Sequence, residues 1–140
     1  MELEDRAPEA SAGDGRKYPW GGDEFDREKP GVPLANYSTA WPNGRTSERT
    51  LVRAFPAVGG LYDIAGNVWE WTSDWYDPGY YASMEARLDN PVGPGASNLR
   101  QVVVRGGSFA DPLYKLSCAF RGGVDPGIGY YNVGFRVVRE

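Results

Sequence analysis

Asp63, Asn67 and Glu70 place three oxygen-bearing side chains within eight residues, and Gly66 among them lets the backbone bend. A hard cation takes side-chain and main-chain oxygens together, so this group could hold one, although the order does not fit a twelve-residue EF-hand loop. The same residues also read as a turn carrying a satisfied acid beside tryptophan, and on the residues alone that reading is the simpler one. Arg105-Gly106-Gly107-Ser108 either lets a ligand approach the backbone or ends a strand in a tight turn. It lacks the lysine of a phosphate loop. Arg121 and Arg136 each follow a phenylalanine. An arginine in an aromatic layer can bind an anion, but pairing with a buried acid such as Asp74 is the stronger reading, because an unpaired charge there is expensive. Cys118 lies in the apolar run Leu116–Phe120 and reads as a small core residue, with only Lys115 nearby to favour a thiolate.

Those candidates need elements to position them. Residues 61–76 read LYDIAGNVWEWTSDWY, in which Trp69, Glu70 and Trp71 alternate as a strand does after a turn at Gly66-Asn67. Val102–Arg105 is β-branched and is stopped by Gly106-Gly107. Ser117–Arg121 and Val133–Val138 are expected to form two further short strands, joined by a Gly/Pro loop at Gly122–Gly129. Turns are expected at Asn43-Gly44, Asp89–Pro91 and Gly93–Gly95. No segment keeps a helical period over three turns, and no solenoid repeat appears. Residues 1–14 are acidic and poor in large apolar groups, which predicts a disordered leader ahead of one domain at 15–140.

Composition narrows the chemistry. The chain has 140 residues, enough for one domain with a modest core. One cysteine excludes an internal disulfide, a C-x-x-C pair and a thiolate zinc site, and the absence of histidine removes the usual general base. Carboxylates, tyrosine, arginine, backbone and one thiol remain. A net charge of −4 gives no global basic field for nucleic acid or an anionic membrane, and no apolar run approaches a membrane span. No signal peptide is visible, so a cytoplasmic location is expected and the sequon Asn36-Tyr37-Ser38 carries little weight.

GRKYPWG at 15–21, FPAVGGLYDIAGNVWEWTSDWY at 55–76, NPVGP at 90–94, VVRGGSF at 103–109 and GFRVV at 134–138 together resemble the sulfatase-modifying factor domain. That family includes formylglycine-generating, ergothioneine-synthase-type and pyoverdine-maturation proteins. The resemblance covers the C-terminal half of a typical domain. It implies an α+β, C-type-lectin-like fold that is loop-rich, with short antiparallel strands. It also implies Ca2+ at positions matching Asp63, Gly66, Val68 and Glu70, where glycine and valine would offer carbonyls. A second calcium site would match Asn36 and Tyr37, without a recognisable acidic partner. Working formylglycine generators bind copper through two cysteines soon after RGGSF, and residues 110–116 contain none. Copper is therefore not expected, and a non-catalytic binding module is. Its ligand-binding surface is expected at Trp69, Ser108, Tyr114, Arg121, Tyr130 and Tyr131, facing an unknown protein or small molecule. Phe109–Tyr131 would be a displayed surface, as in the variable proteins of diversity-generating retroelements, which end similarly. The alternative is an oxygen-dependent oxidoreductase whose other half supplies the reactive groups.

Overall fold

The computed structural model describes residues 15–22, 33–38, 48–83 and 93–137. The expected leader at 1–14 and the turns at Asn43-Gly44 and Asp89–Pro91 lie outside them. Aromatic and β-branched residues supply the strands, as their fit to a half-buried pleated surface requires. Strand β1 runs Trp69–Trp75, β2 Val102–Arg105, β3 Gly122–Val124 and β4 Val133–Gly134, in the sheet order β3-β2-β1-β4. The β1–β2 and β2–β3 pairs are antiparallel, and β4 runs parallel to β1, with Trp69 opposite Val133. Among the described residues, helical structure amounts to 3₁₀ turns at Tyr80–Ala82 and Leu113–Leu116.

β2 has the bounds that its sequence predicts. The third strand does not. Residues 117–121 follow a 3₁₀ turn and leave it as a turn, while β3 forms at Gly122–Val124, inside the expected loop. Its glycines explain this. A Cβ on Gly122 would lie 3.0 Å from Val104 Cγ2, so a strand can reach the edge of β2 here only where side chains are absent. Tertiary packing has overridden a poor strand propensity. Among the described residues, the last strand pairs at Val133 and Gly134 and does not continue through 135–137.

β1 carries a bulge. Trp71 faces Val104 and Trp75 faces Val102, so four steps on one strand match two on the other. The core cluster is formed by Tyr18, Ala35, Tyr37, Ala65 and Leu116, with Trp20 and Leu113 packed on it. Gly107 shows how tight this is. Its φ is +72°, and a Cβ there would meet Leu116 Cδ1 at 2.5 Å. The two glycines after β2 therefore serve a strand end packed against the core.

Candidate functional site

The buried end of β1 meets the segment after β2 at a single carboxylate. Asp111 Oδ2 accepts hydrogen bonds from Trp69 Nε1 at 2.7 Å and from the Ser108 hydroxyl, while Oδ1 takes Lys115 Nζ at 2.7 Å. Ser108 is fully buried, and its oxygen also accepts from Asn132 Nδ2 at 3.1 Å. Turn geometry builds this hub. The Asp111 amide donates to the Ser108 carbonyl, and Lys115 follows one helical step later, at the four-residue spacing that brings side chains together. A buried acid with donors on both oxygens is held firmly in place.

Aromatic rings surround the hub. Trp69 packs on Phe120 with centroids 5.9 Å apart, Phe120 meets Tyr114 at 5.8 Å, and Phe109 meets Tyr131 edge-on at 6.0 Å. Tyr114 and Tyr131 stay 56% and 72% exposed, so they form the outer skin of this face. Of the expected surface residues, Trp69 and Ser108 lie inside the hub, and Tyr114 and Tyr131 are exposed, packed on Phe120 and Phe109. Tyr130 does something more local, its hydroxyl accepting from the Asp125 amide at 3.3 Å to close the loop before it.

Arg121 stacks 3.8 Å from the Tyr81 ring centroid and lies 5.7 Å from that of Tyr76, and it donates to the Asp77 carbonyl. The expected ion pair of Asp74 with Arg121 or Arg136 is thus corrected. Asp74 packs beside Gly93, and the carboxylate that Arg136 engages is Glu70. Glu70 lies opposite Arg105 in the ladder, and a register irregularity between Trp71 and Trp75 falls between it and Asp74.

Of the residues proposed for calcium, Asp63 and Glu70 are close in space and already accept hydrogen bonds. Arg136 Nε reaches both Glu70 oxygens at 3.1 Å, and Nη2 reaches Oε1 at 2.6 Å. The same guanidinium donates to the Tyr62 and Asp63 carbonyls, each at 2.8 Å. Asp63 Oδ2 accepts the Arg53 amide at 2.7 Å. Among the described residues, no group of three or more Asp, Glu, Cys or His side chains is placed to hold a metal ion. As arranged, the set does not fit calcium. An open groove of about 520 Å³ lies over the ion pair, lined in part by Val52, Leu61, Tyr62, Phe135 and Val137.

Several working residues escaped the sequence. Asp111 and Asn132 were not singled out, and the readable signal for Asp111 is its Ser-x-x-Asp spacing, which lets hydroxyl and carboxylate meet across one turn. Asn67 is no ligand. It sits at φ +63°, where asparagine is tolerated, and its amide exchanges two hydrogen bonds with the Thr50 backbone. Buried Arg105 donates to the Cys118 and Phe120 carbonyls at 2.6 and 3.0 Å, tying down the turn that holds Cys118. Cys118 is buried, as its apolar surroundings predict.

Comparison with known proteins fits this geometry. The chain is 37% identical over 127 residues to the serine/threonine-protein kinase Pkn1 of Chlamydia trachomatis serovar L2, covering 90% of this chain and 18% of that protein. It is 34% identical over 137 residues to the formylglycine-generating enzyme of Streptomyces coelicolor, covering 90% of this chain and 41% of the enzyme. Among solved structures, PvdO from Pseudomonas aeruginosa superposes with a TM-score of 0.71 at 25% identity, over 96% of this chain and 50% of PvdO. Treponema denticola variable protein 1 superposes with a TM-score of 0.66 at 26% identity, over 92% and 42%. The chain thus spans half or less of the length of each of these proteins. The loop-rich, C-type-lectin-like α+β fold follows from these neighbours. No helix among the described residues is long and apolar enough to cross a membrane. Residues 3–140 match the sulfatase-modifying factor enzyme 1-like domain, and the chain belongs to that family.

Proposed function

We propose that this chain acts as a non-catalytic binding module whose ligand, a protein or a small molecule, meets the face formed by Tyr114, Tyr131 and the rim of Trp69. The observation that carries this reading is Asp111. It occupies the segment after the Arg-Gly-Gly-Ser motif where the resemblance to formylglycine generators leads one to look for copper thiolates. Its carboxylate is instead engaged by Trp69, Ser108 and Lys115. Copper(I) selects clustered sulfur, and the chain's one thiol is Cys118. Incubated aerobically with copper and a cysteine-containing sulfatase-motif peptide, the chain should leave the peptide mass unchanged. A mass loss matching formylglycine would end this reading.

The exposed rings make a second prediction. Tyr114→Ala and Tyr131→Ala should each change unfolding free energy by no more than about 0.5 kcal/mol, as surface substitutions do. Tyrosines held at the surface without a large stability role suit contact with a ligand, since they offer much area at small entropic cost. A loss above about 2 kcal/mol in urea unfolding would make them structural and remove the binding face.

One observation favours a second reading, an oxygen-dependent oxidoreductase completed by further polypeptide. Phe135 and Val137 are 73% and 66% exposed beside the groove over Glu70 and Arg136, and such apolar exposure suits a covered surface. Oxidase activity that arises only when this chain is co-expressed with polypeptide matching the other half of its relatives would select that reading.

A further inference from the structure

We propose that Arg136 is this domain's resident cation: its guanidinium cross-links the oxygen set at the start of β1, so the fold needs no calcium there. The inference begins with counting donors. An arginine has five N–H groups in a rigid fork. Arg136 uses that fork to reach three acceptor groups at once: the Glu70 carboxylate at 2.6 and 3.1 Å, the Tyr62 carbonyl at 2.8 Å and the Asp63 carbonyl at 2.8 Å. A metal ion gathers the same kinds of oxygen, a carboxylate and successive loop carbonyls. The carboxylate and guanidinium charges cancel, and both side chains are mostly shielded, at 19% and 24% exposure. Calcium entering this set would take oxygens that already have donors and would face an adjacent positive charge. It needs six to eight oxygens, and Asp63 Oδ2 is also engaged, by the Arg53 amide. Backbone geometry suits the fork as well. Asp63 holds φ at +54°, so the loop is bent where its carbonyl meets Nη2.

The cross-link joins the chain's late segment to the start of β1 and the loop before it, Arg136 lying 66 positions after Glu70. Removing it should therefore loosen two places together. Melting of metal-stripped wild-type chain, followed in excess calcium and in excess chelator, is expected to give the same midpoint within about 1 °C. Arg136→Met in chelator should melt roughly 5–10 °C lower, in line with loss of one partner of a shielded pair. Millimolar calcium should restore part of that loss, and terbium should give tryptophan-sensitised luminescence in Arg136→Met but not in wild type. Adding Glu70→Gln should abolish both effects. A wild-type midpoint that rises with calcium overturns the proposal, as does an Arg136→Met chain that melts like its parent. So does a destabilised Arg136→Met chain that neither calcium nor terbium affects, because the oxygen set is then no cation site. If Arg136→Met does not fold, Arg136→Lys serves instead. Its single ammonium cannot reach all three acceptor groups, so it should melt between wild type and Glu70→Gln. A wild-type-like midpoint for Arg136→Lys overturns the proposal.

Discussion

Replacing Asp111 with alanine is expected to destabilise the fold by about 3–5 kcal/mol, a large part of the total stability of a domain of this size. The estimate follows from what the truncation leaves behind. The Trp69 indole N–H and the Ser108 hydroxyl both lose their acceptor in a buried setting, and each such orphan costs about 1–3 kcal/mol. Asn132 still donates to Ser108, which keeps that oxygen partly satisfied. Lys115 adds little, because its side chain is 31% exposed and its ammonium can turn to water. The cavity left beside Trp69 adds a packing term. Asp111→Asn is the informative companion. It retains one oxygen for the indole and loses the ionic partner of Lys115, so it should fall well short of the alanine loss. Urea unfolding measures both, with an unchanged m-value showing that the folded state has kept its compactness. An alanine variant within about 1 kcal/mol of the parent would mean that the hub does not hold the sheet to the segment after β2.

The hub also shows what the sequence could and could not disclose. β2 was legible because Val102, Val103 and Val104 combine β-branched side chains with a glycine stop, so local preference and final structure agree. The start of β1 was legible for the same reason. Asp111 was not, because a lone acid between alanine and proline carries no period. Its importance comes from Trp69, 42 positions earlier. β3 ran against local preference altogether, since Gly122 and Gly123 are poor strand formers that fit only because Val104 and Tyr76 fill the space a Cβ would take. The misassigned ion pair has a similar origin. Glu70 and Asp74 are both acids beside tryptophan, and residue type alone does not say which of them an arginine reaches. Family resemblance supplied the fold where propensity could not, and it pointed to the oxygen set around Glu70. The guanidinium that fills this set comes from a segment that pairs with β1 only in the folded chain.

Gly66→Ala is expected to approach loss of the hub in damage, at about 2–5 kcal/mol, and the reason can be separated into two parts. The residue sits at φ +78°, where any side chain costs about 1–2 kcal/mol. A Cβ there would also lie 2.5 Å from the Asn36 carbonyl oxygen and 3.0 Å from the Asn36 nitrogen, both main-chain atoms. Neither can swing aside. Asn36 is buried, its side chain donates to the Glu48 carbonyl, and its carbonyl accepts the Asn67 amide at 2.9 Å. Gly66 is itself held by its amide to the Gly106 carbonyl at 2.7 Å. Overpacking of this kind adds roughly 1–3 kcal/mol. Gly59 provides the comparison, since it has φ +59° with nothing within 4 Å of a built Cβ. Gly59→Ala should therefore show the backbone penalty alone, about 1–2 kcal/mol. The difference between the two variants, read from parallel urea melts, measures how closely the loop before β1 is pressed against residue 36. Equal losses at the two positions would mean that the loop yields, and that Gly66 is needed for its backbone angle and not for close packing.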